Sequence, residues 1–271
     1  MSAPTAAEAA GGKQMSFWDH LGELRNRLIK SILAVAVGGA VVFAFYNQVL
    51  DWLVRPYCQA LENASPDQAC SLVITDVLEG FRTRVRVAIY GGIALAMPVI
   101  LWQLWRFVTP ALYPRERRYA VPFVASGVLL FALGAALAYW SLARAIDFLI
   151  TVSGEDVETL LRPSPYLSFV VFMMLAFGVG FEFPIVLLFL QLAGIVEPEQ
   201  LSAVRRYAII GIVVLVAVIT PSGDPITLAA LAIPLYVFYE LSIVVGSFLT
   251  RSRRPGGPKR NWARPWRRPT A

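Results

Sequence analysis

The chain has 271 residues, of which 57% are hydrophobic and 15% charged, against roughly 25% charged in an ordinary soluble domain. Mean hydropathy is +0.61. These values exclude a disordered chain, a collagen and a soluble globule; one His and two Cys exclude a rich metal site built from those ligands. Six transmembrane helices of roughly 20 apolar residues each would absorb most of the apolar content, so the composition predicts an all-α, polytopic integral membrane protein.

Residues 1–15 are Ala-, Gly- and Pro-rich and read as a disordered tail. They lack the basic start and apolar run of a signal peptide. From Ser16 to Arg27, polar and apolar residues alternate so that Phe17, Leu21, Leu24 and Leu28 share a helical face. This spacing predicts an amphipathic helix leading into a span. Six apolar runs follow, roughly Leu28–Tyr46, Val87–Trp105, Tyr119–Trp140, Leu167–Leu190, Tyr207–Thr220 and Ile226–Phe248. Each is expected to be helical, because lone strands cannot satisfy their backbone groups in lipid. Residues 16–250 form the expected six-helix domain. Residues 251–271 form a basic cytoplasmic tail, for which contact with anionic lipid is a simpler reading than nucleic-acid binding. No internal repeat stands out, which argues against an inverted-repeat transporter.

Basic residues predict the orientation. With both termini in the cytoplasm, 18 of the 24 Lys and Arg residues fall inside. Arg82, Arg84 and Arg86 go against the trend and are expected to snorkel around the outer end of the second span. The fifth run offers about 14 residues before Pro221, or about 21 Å of helix, against a bilayer core of roughly 30 Å. Such a span must thin the membrane, be shielded by neighbours, or be extended by snorkelling of Arg205 and Arg206.

Glu182, in Phe-Gly-Val-Gly-Phe-Glu-Phe-Pro, is the sharpest polar residue because a carboxylate in hydrocarbon is costly unless protonated, paired or hydrated. It reads either as a docking point facing a groove or partner helix, or as a structural hydrogen-bonder. Pro184 is expected to kink its helix or free a carbonyl. Glu23 and Glu116 lie beside arginines on the predicted inner side. A carboxylate there can take a planar guanidinium from a peptide in bidentate fashion, or can pair locally with Arg25, Arg27, Arg115 or Arg117. Asp224, in Thr-Pro-Ser-Gly-Asp-Pro, reads as a turn residue or helix N-cap. Glu240 lies close enough to the inner end of the last span to reach the interface. Cys58 and Cys70 share the first outer loop and either pair in an oxidising compartment or stay free. The lone His20 has no evident metal partner, and no phosphate-loop motif is present; no cofactor is expected.

These stretches together resemble the TatC family, the multi-spanning core of the twin-arginine protein translocase. The likeness rests on Phe17-Trp-Asp-His-Leu-Gly-Glu-Leu-Arg-Asn-Arg-Leu28, on Pro98 through Arg118, on Phe177-Gly-Val-Gly-Phe-Glu-Phe-Pro184 and on Thr220-Pro-Ser-Gly-Asp224. It covers about residues 16 to 250, in order. The resemblance implies a concave, glove-like bundle with short fifth and sixth spans in a bacterial cytoplasmic membrane. It implies a signal-peptide site in which Glu23 and Glu116 receive twin arginines and Arg25, Phe107 and Arg117 shape the pocket. Glu182 would face TatA- and TatB-type single-span partners. Pro56 and Asp224 match outer positions linked to function. Self-association, contact with membrane lipids and export of folded cargo driven by the proton-motive force are also implied, without enzymatic activity or nucleic-acid binding. The alternative is a proton-coupled small-solute transporter with Glu182 as proton carrier. An intramembrane protease is excluded, since the chain lacks His-Glu-x-x-His and a pair of deep Asp residues.

Overall fold

The structure is a computed structural model that describes residues 17–64, 70, 76–108, 120–153, 162–192, 194–220 and 224–251. All regular structure in these residues is helical: α1 (Phe17–Ala44), α2 (Tyr46–Ala64), α3 (Glu79–Val108), α4 (Ala120–Ser153), α5 (Pro163–Gly180), α6 (Phe183–Leu192), α7 (Pro198–Ala203), α8 (Arg205–Ile219) and α9 (Pro225–Arg251). Among the described residues, five stretches are long and apolar enough to cross a membrane: Trp18–Ala44, Glu79–Phe107, Val121–Ile146, Pro163–Leu192 and Pro225–Phe248. They overlap five of the six predicted runs. The predicted fifth run becomes α8, whose 15 residues reach about 22 Å. The sixth is not short: α9 has 27 residues, because its apolar sequence carries the helix past Glu240 to Arg251.

Helix α1 packs along α3 at a seam of small residues. A Cβ on Gly92 would lie 2.6 Å from the backbone nitrogen of Gly39, so only glycine lets the two backbones approach this closely. The amphipathic start of α1 is continuous with its membrane stretch.

The predicted first outer loop contains a helix that apolar periodicity alone did not indicate. In α2, Leu53, Tyr57, Ala60 and Leu61 are buried, while Asp51, Arg55 and Glu62 are exposed. The buried face joins Val87 of α3, Leu142 and Ile146 of α4 and Leu167 of α5 in one apolar cluster. Pro56 lies inside α2 and is buried. It cannot donate to the carbonyl of Trp52, four residues back. Tyr139 of α4 donates to that carbonyl at 2.9 Å and stacks its ring on Trp52 at 4.2 Å. Tyr166 donates to the next carbonyl, Leu53 O, at 2.9 Å. Cys58 of α2 and Cys70 form a disulfide across a sequence separation of 12.

The arginine trio has partners within the fold. Arg84 donates to Phe43 O at 2.8 Å and lies 4.3 Å from the Phe43 ring centroid. Arg86 donates to Ser168 Oγ at 2.6 Å, and Arg82 pairs with Asp76 at 3.3 Å. These bonds tie the C-terminal end of α1 to the N-terminal ends of α3 and α5.

Helices α4, α5, α6 and α9 share a second apolar cluster around Phe177, Phe181, Leu231 and Leu235. Helix α8 packs mainly on α9 and leaves Ile210, Val214 and Val218 exposed. Arg205 and Glu240 pair at 3.0 Å and Tyr239 donates to Leu201 O at 2.7 Å. The start of α8 is thereby pinned to α9, and Arg205 is engaged with a carboxylate rather than simply snorkelling.

Candidate functional site

One candidate site lies where α1 begins and α3 ends. Glu23 sits in the second turn of α1, and Phe107 in the last turn of α3. The two helix ends meet through His20, whose ring stacks on Phe107 with centroids 4.4 Å apart and planes 18° apart. His20 is therefore a contact of this site. Glu23 accepts from both Nε and Nη2 of Arg27, with both donors converging on Oε1. Local pairing, one of the two readings of Glu23, is thus realised, with Arg27 as the partner. Arg25 is exposed on the same helix. Glu116 and Arg117 lie outside the described residues.

Below this pair a groove of about 460 Å³ runs between α1 and α3, lined by Leu24, Arg27, Leu28, Gln103, Leu104 and Phe107 among others. The side-chain Oε1 of Gln103 is buried and accepts no hydrogen bond. Sequence reasoning passed over Gln103, although an amide within Leu-Trp-Gln-Leu-Trp was a visible signal.

A second site is a cavity of about 360 Å³ between α3, α4 and α6. Its wall is apolar, made by Met97, Leu101, Leu104, Phe123, Val124 and Val186, with Glu182 as its carboxylate. Glu182 is only 8% exposed, and its Oε1 takes no hydrogen bond. The backbone explains its position. Pro184 has no N–H for the carbonyl of Gly180, and the helix breaks at Phe181 and Glu182, where Glu182 N bonds Val179 O at 3.0 Å in a tightened turn. The break divides the expected continuous run into α5 and α6 and turns Glu182 into the cavity. Space for the carboxylate comes from Gly127, where a Cβ would meet Glu182 Oε2 at 3.1 Å. Gly127 was also missed, since nothing nearby in sequence marks it as a partner of residue 182.

Asp224 is the N-cap residue of α9. Its Oδ1 accepts from Thr227 N at 2.8 Å and its Oδ2 accepts from the Thr227 hydroxyl at 2.5 Å. Pro56 serves the α2–α4 contact described above. Among the described residues, no group of three or more His, Cys, Asp or Glu side chains could hold a metal ion.

Residues 19–234 match the family model described as Sec-independent protein translocase protein (TatC). The chain belongs to the TatC family. It is 38% identical over 239 residues to the Sec-independent protein translocase protein TatC of Frankia casuarinae, an alignment that covers 86% of this chain and 66% of that protein. It is 37% identical over 243 residues to TatC of Aquifex aeolicus, covering 89% of this chain and 98% of that protein. A solved structure described as the twin arginine translocase receptor TatC superposes with a TM-score of 0.71 at 39% identity, covering 86% of this chain and all of that one. TatC membership makes the chain a core component of the Sec-independent, twin-arginine translocase. It is a multi-pass protein of the bacterial cytoplasmic membrane and a transport subunit rather than an enzyme. The solute-carrier alternative is set aside.

Proposed function

We propose that the chain is the receptor for twin-arginine signal peptides, binding them on the cytoplasmic face where α1 begins and α3 ends. The observation that carries this reading is the convergence of Glu23, His20 and Phe107 from two separate helix ends. A carboxylate there can receive one guanidinium in bidentate fashion. Glu116 is assigned the second guanidinium, with Arg25, Phe107 and Arg117 shaping the pocket. Arginine stays charged and presents a rigid fork, whereas lysine offers charge without the fork, so paired carboxylates discriminate between them.

The same reading has six spans, with α8 as the short fifth, and both termini inside, supported by the distribution of basic residues. TatA- and TatB-type single-span subunits dock along the concave side where Glu182 faces an apolar cavity. Copies of the chain associate in the receptor complex, membrane lipids contact the basic tail, and the proton-motive force drives folded cargo across. The test is binding of an Arg-Arg signal peptide to Glu23→Ala, Glu116→Ala and the double variant. Each single variant is expected to weaken binding while the chain stays folded; unchanged affinity in all three would contradict the assignment.

A further inference from the structure

We propose that Arg27 is an internal substitute for one arginine of the export signal: it occupies Glu23 until the signal arrives and then moves onto Gln103. The inference rests on the reading that Glu23 receives a signal arginine, and deepens it.

The geometry of the pair motivates it. Arg27 places two guanidinium donors on one oxygen of Glu23. Bidentate capture of an incoming guanidinium uses both carboxylate oxygens in parallel. While Arg27 holds Oε1 with two donors, the incoming group cannot form that fork. The pair is also sheltered, with side chains only 16% and 22% exposed, so it must open for a peptide to reach the carboxylate. Arg27 has the same guanidinium chemistry as the ligand, and it is the arginine that pairs with Glu23.

A displaced guanidinium needs an acceptor, because leaving it unpaired against an apolar wall is costly. The groove that Arg27 lines also contains Gln103, whose buried Oε1 has no hydrogen-bond partner. An orphaned carbonyl oxygen on a residue that lines the same groove offers those donors an acceptor. The exchange leaves both guanidinium groups hydrogen-bonded: the signal arginine takes the Glu23 carboxylate, and Arg27 donates to the neutral amide oxygen of Gln103.

Helical ion pairs four residues apart, partly exposed, are weak. Displacement is therefore inexpensive, and removing the pair should improve signal affinity by only about twofold.

The test uses the full chain in detergent micelles and a labelled synthetic peptide with an arginine pair followed by an apolar segment. Arg27→Gln should bind about twofold more tightly, and Arg27→Lys, which keeps the charge but loses the fork, should gain part of that. Lys30→Gln removes one exposed charge from the same helix and should gain less than Arg27→Gln. Gln103→Leu should weaken binding about twofold in the parent and leave it unchanged in the Arg27→Gln background. If Glu23→Gln weakens binding but Arg27→Gln and Arg27→Lys do not strengthen it, the substitution idea is overturned and the peptide site stands. Equal gains in Lys30→Gln and Arg27→Gln, with none in Arg27→Lys, would reduce the effect to bare charge and also overturn it. If Glu23→Gln has no effect, the site itself fails and the inference falls with it.

Discussion

The hydroxyl of Tyr139 donates a 2.9 Å hydrogen bond to the carbonyl of Trp52, the very carbonyl that Pro56 leaves without a helical donor. Proline inside α2 thus does more than bend it: it exposes an acceptor through which α4 holds the helix. Tyr139→Phe should lower stability by about 1 kcal/mol, the usual net value of one hydrogen bond. Pro56→Ala restores an N–H that competes for Trp52 O and should loosen α2 from α4 although alanine favours helix. Hydrogen exchange across residues 46–64 checks both, with faster exchange expected in each variant.

The α1–α3 seam predicts a sharper effect. A Cβ on Gly92 would meet Gly39 Cα at 2.8 Å and Val35 O at 2.8 Å. These are backbone atoms, so the helices must separate. Gly92→Ala should cost about 1–3 kcal/mol, as overpacking does, and should shift the far ends of both helices, including the His20–Phe107 contact. Thermal unfolding in detergent measures the first effect and peptide binding the second.

The Cys58–Cys70 bond ties α2 to Cys70 across a sequence separation of 12. In the chain-entropy account a loop of this size contributes about 2–3 kcal/mol. Cys58→Ser, or reduction with dithiothreitol, should lower the unfolding temperature by several degrees. The reductant should then have no further effect on Cys58→Ser.

Asp224 caps α9 with one oxygen on Thr227 N and the other on the Thr227 hydroxyl. Asp224→Ala should cost about 1 kcal/mol, while Asp224→Asn, whose remaining oxygen can still accept from Thr227 N, should retain most of the stability. Chemical unfolding of the two variants distinguishes them.

Much of this fold was legible from apolar runs because lipid imposes long, continuous helices on any chain that crosses it. Helix ends were less legible where polar residues interrupt an apolar run. The run ending at Trp140 continues in α4 to Ser153, since Ser141, Leu142 and Ala145 are buried although Arg144 breaks the pattern. Helix α2 was missed for the same reason: Asp51, Arg55 and Pro56 read as loop residues, and only its buried face reveals it as a helix. Glu182 and Pro184 announced an interruption, but the partner that makes room, Gly127, belongs to another helix and could not be found by spacing. Glu23 was identified by its charge beside arginines in the basic amphipathic start of α1. Its choice of Arg27 over Arg25 follows from helical geometry, four residues apart rather than two.

The most direct measurement is photocrosslinking from probes at Phe107 and at positions flanking Glu23, in native membrane vesicles, to a twin-arginine precursor. The account predicts crosslinks that require the arginine pair and disappear when both arginines are replaced by lysine. Absence of any crosslink from these positions, with the precursor captured elsewhere on the chain, would contradict it.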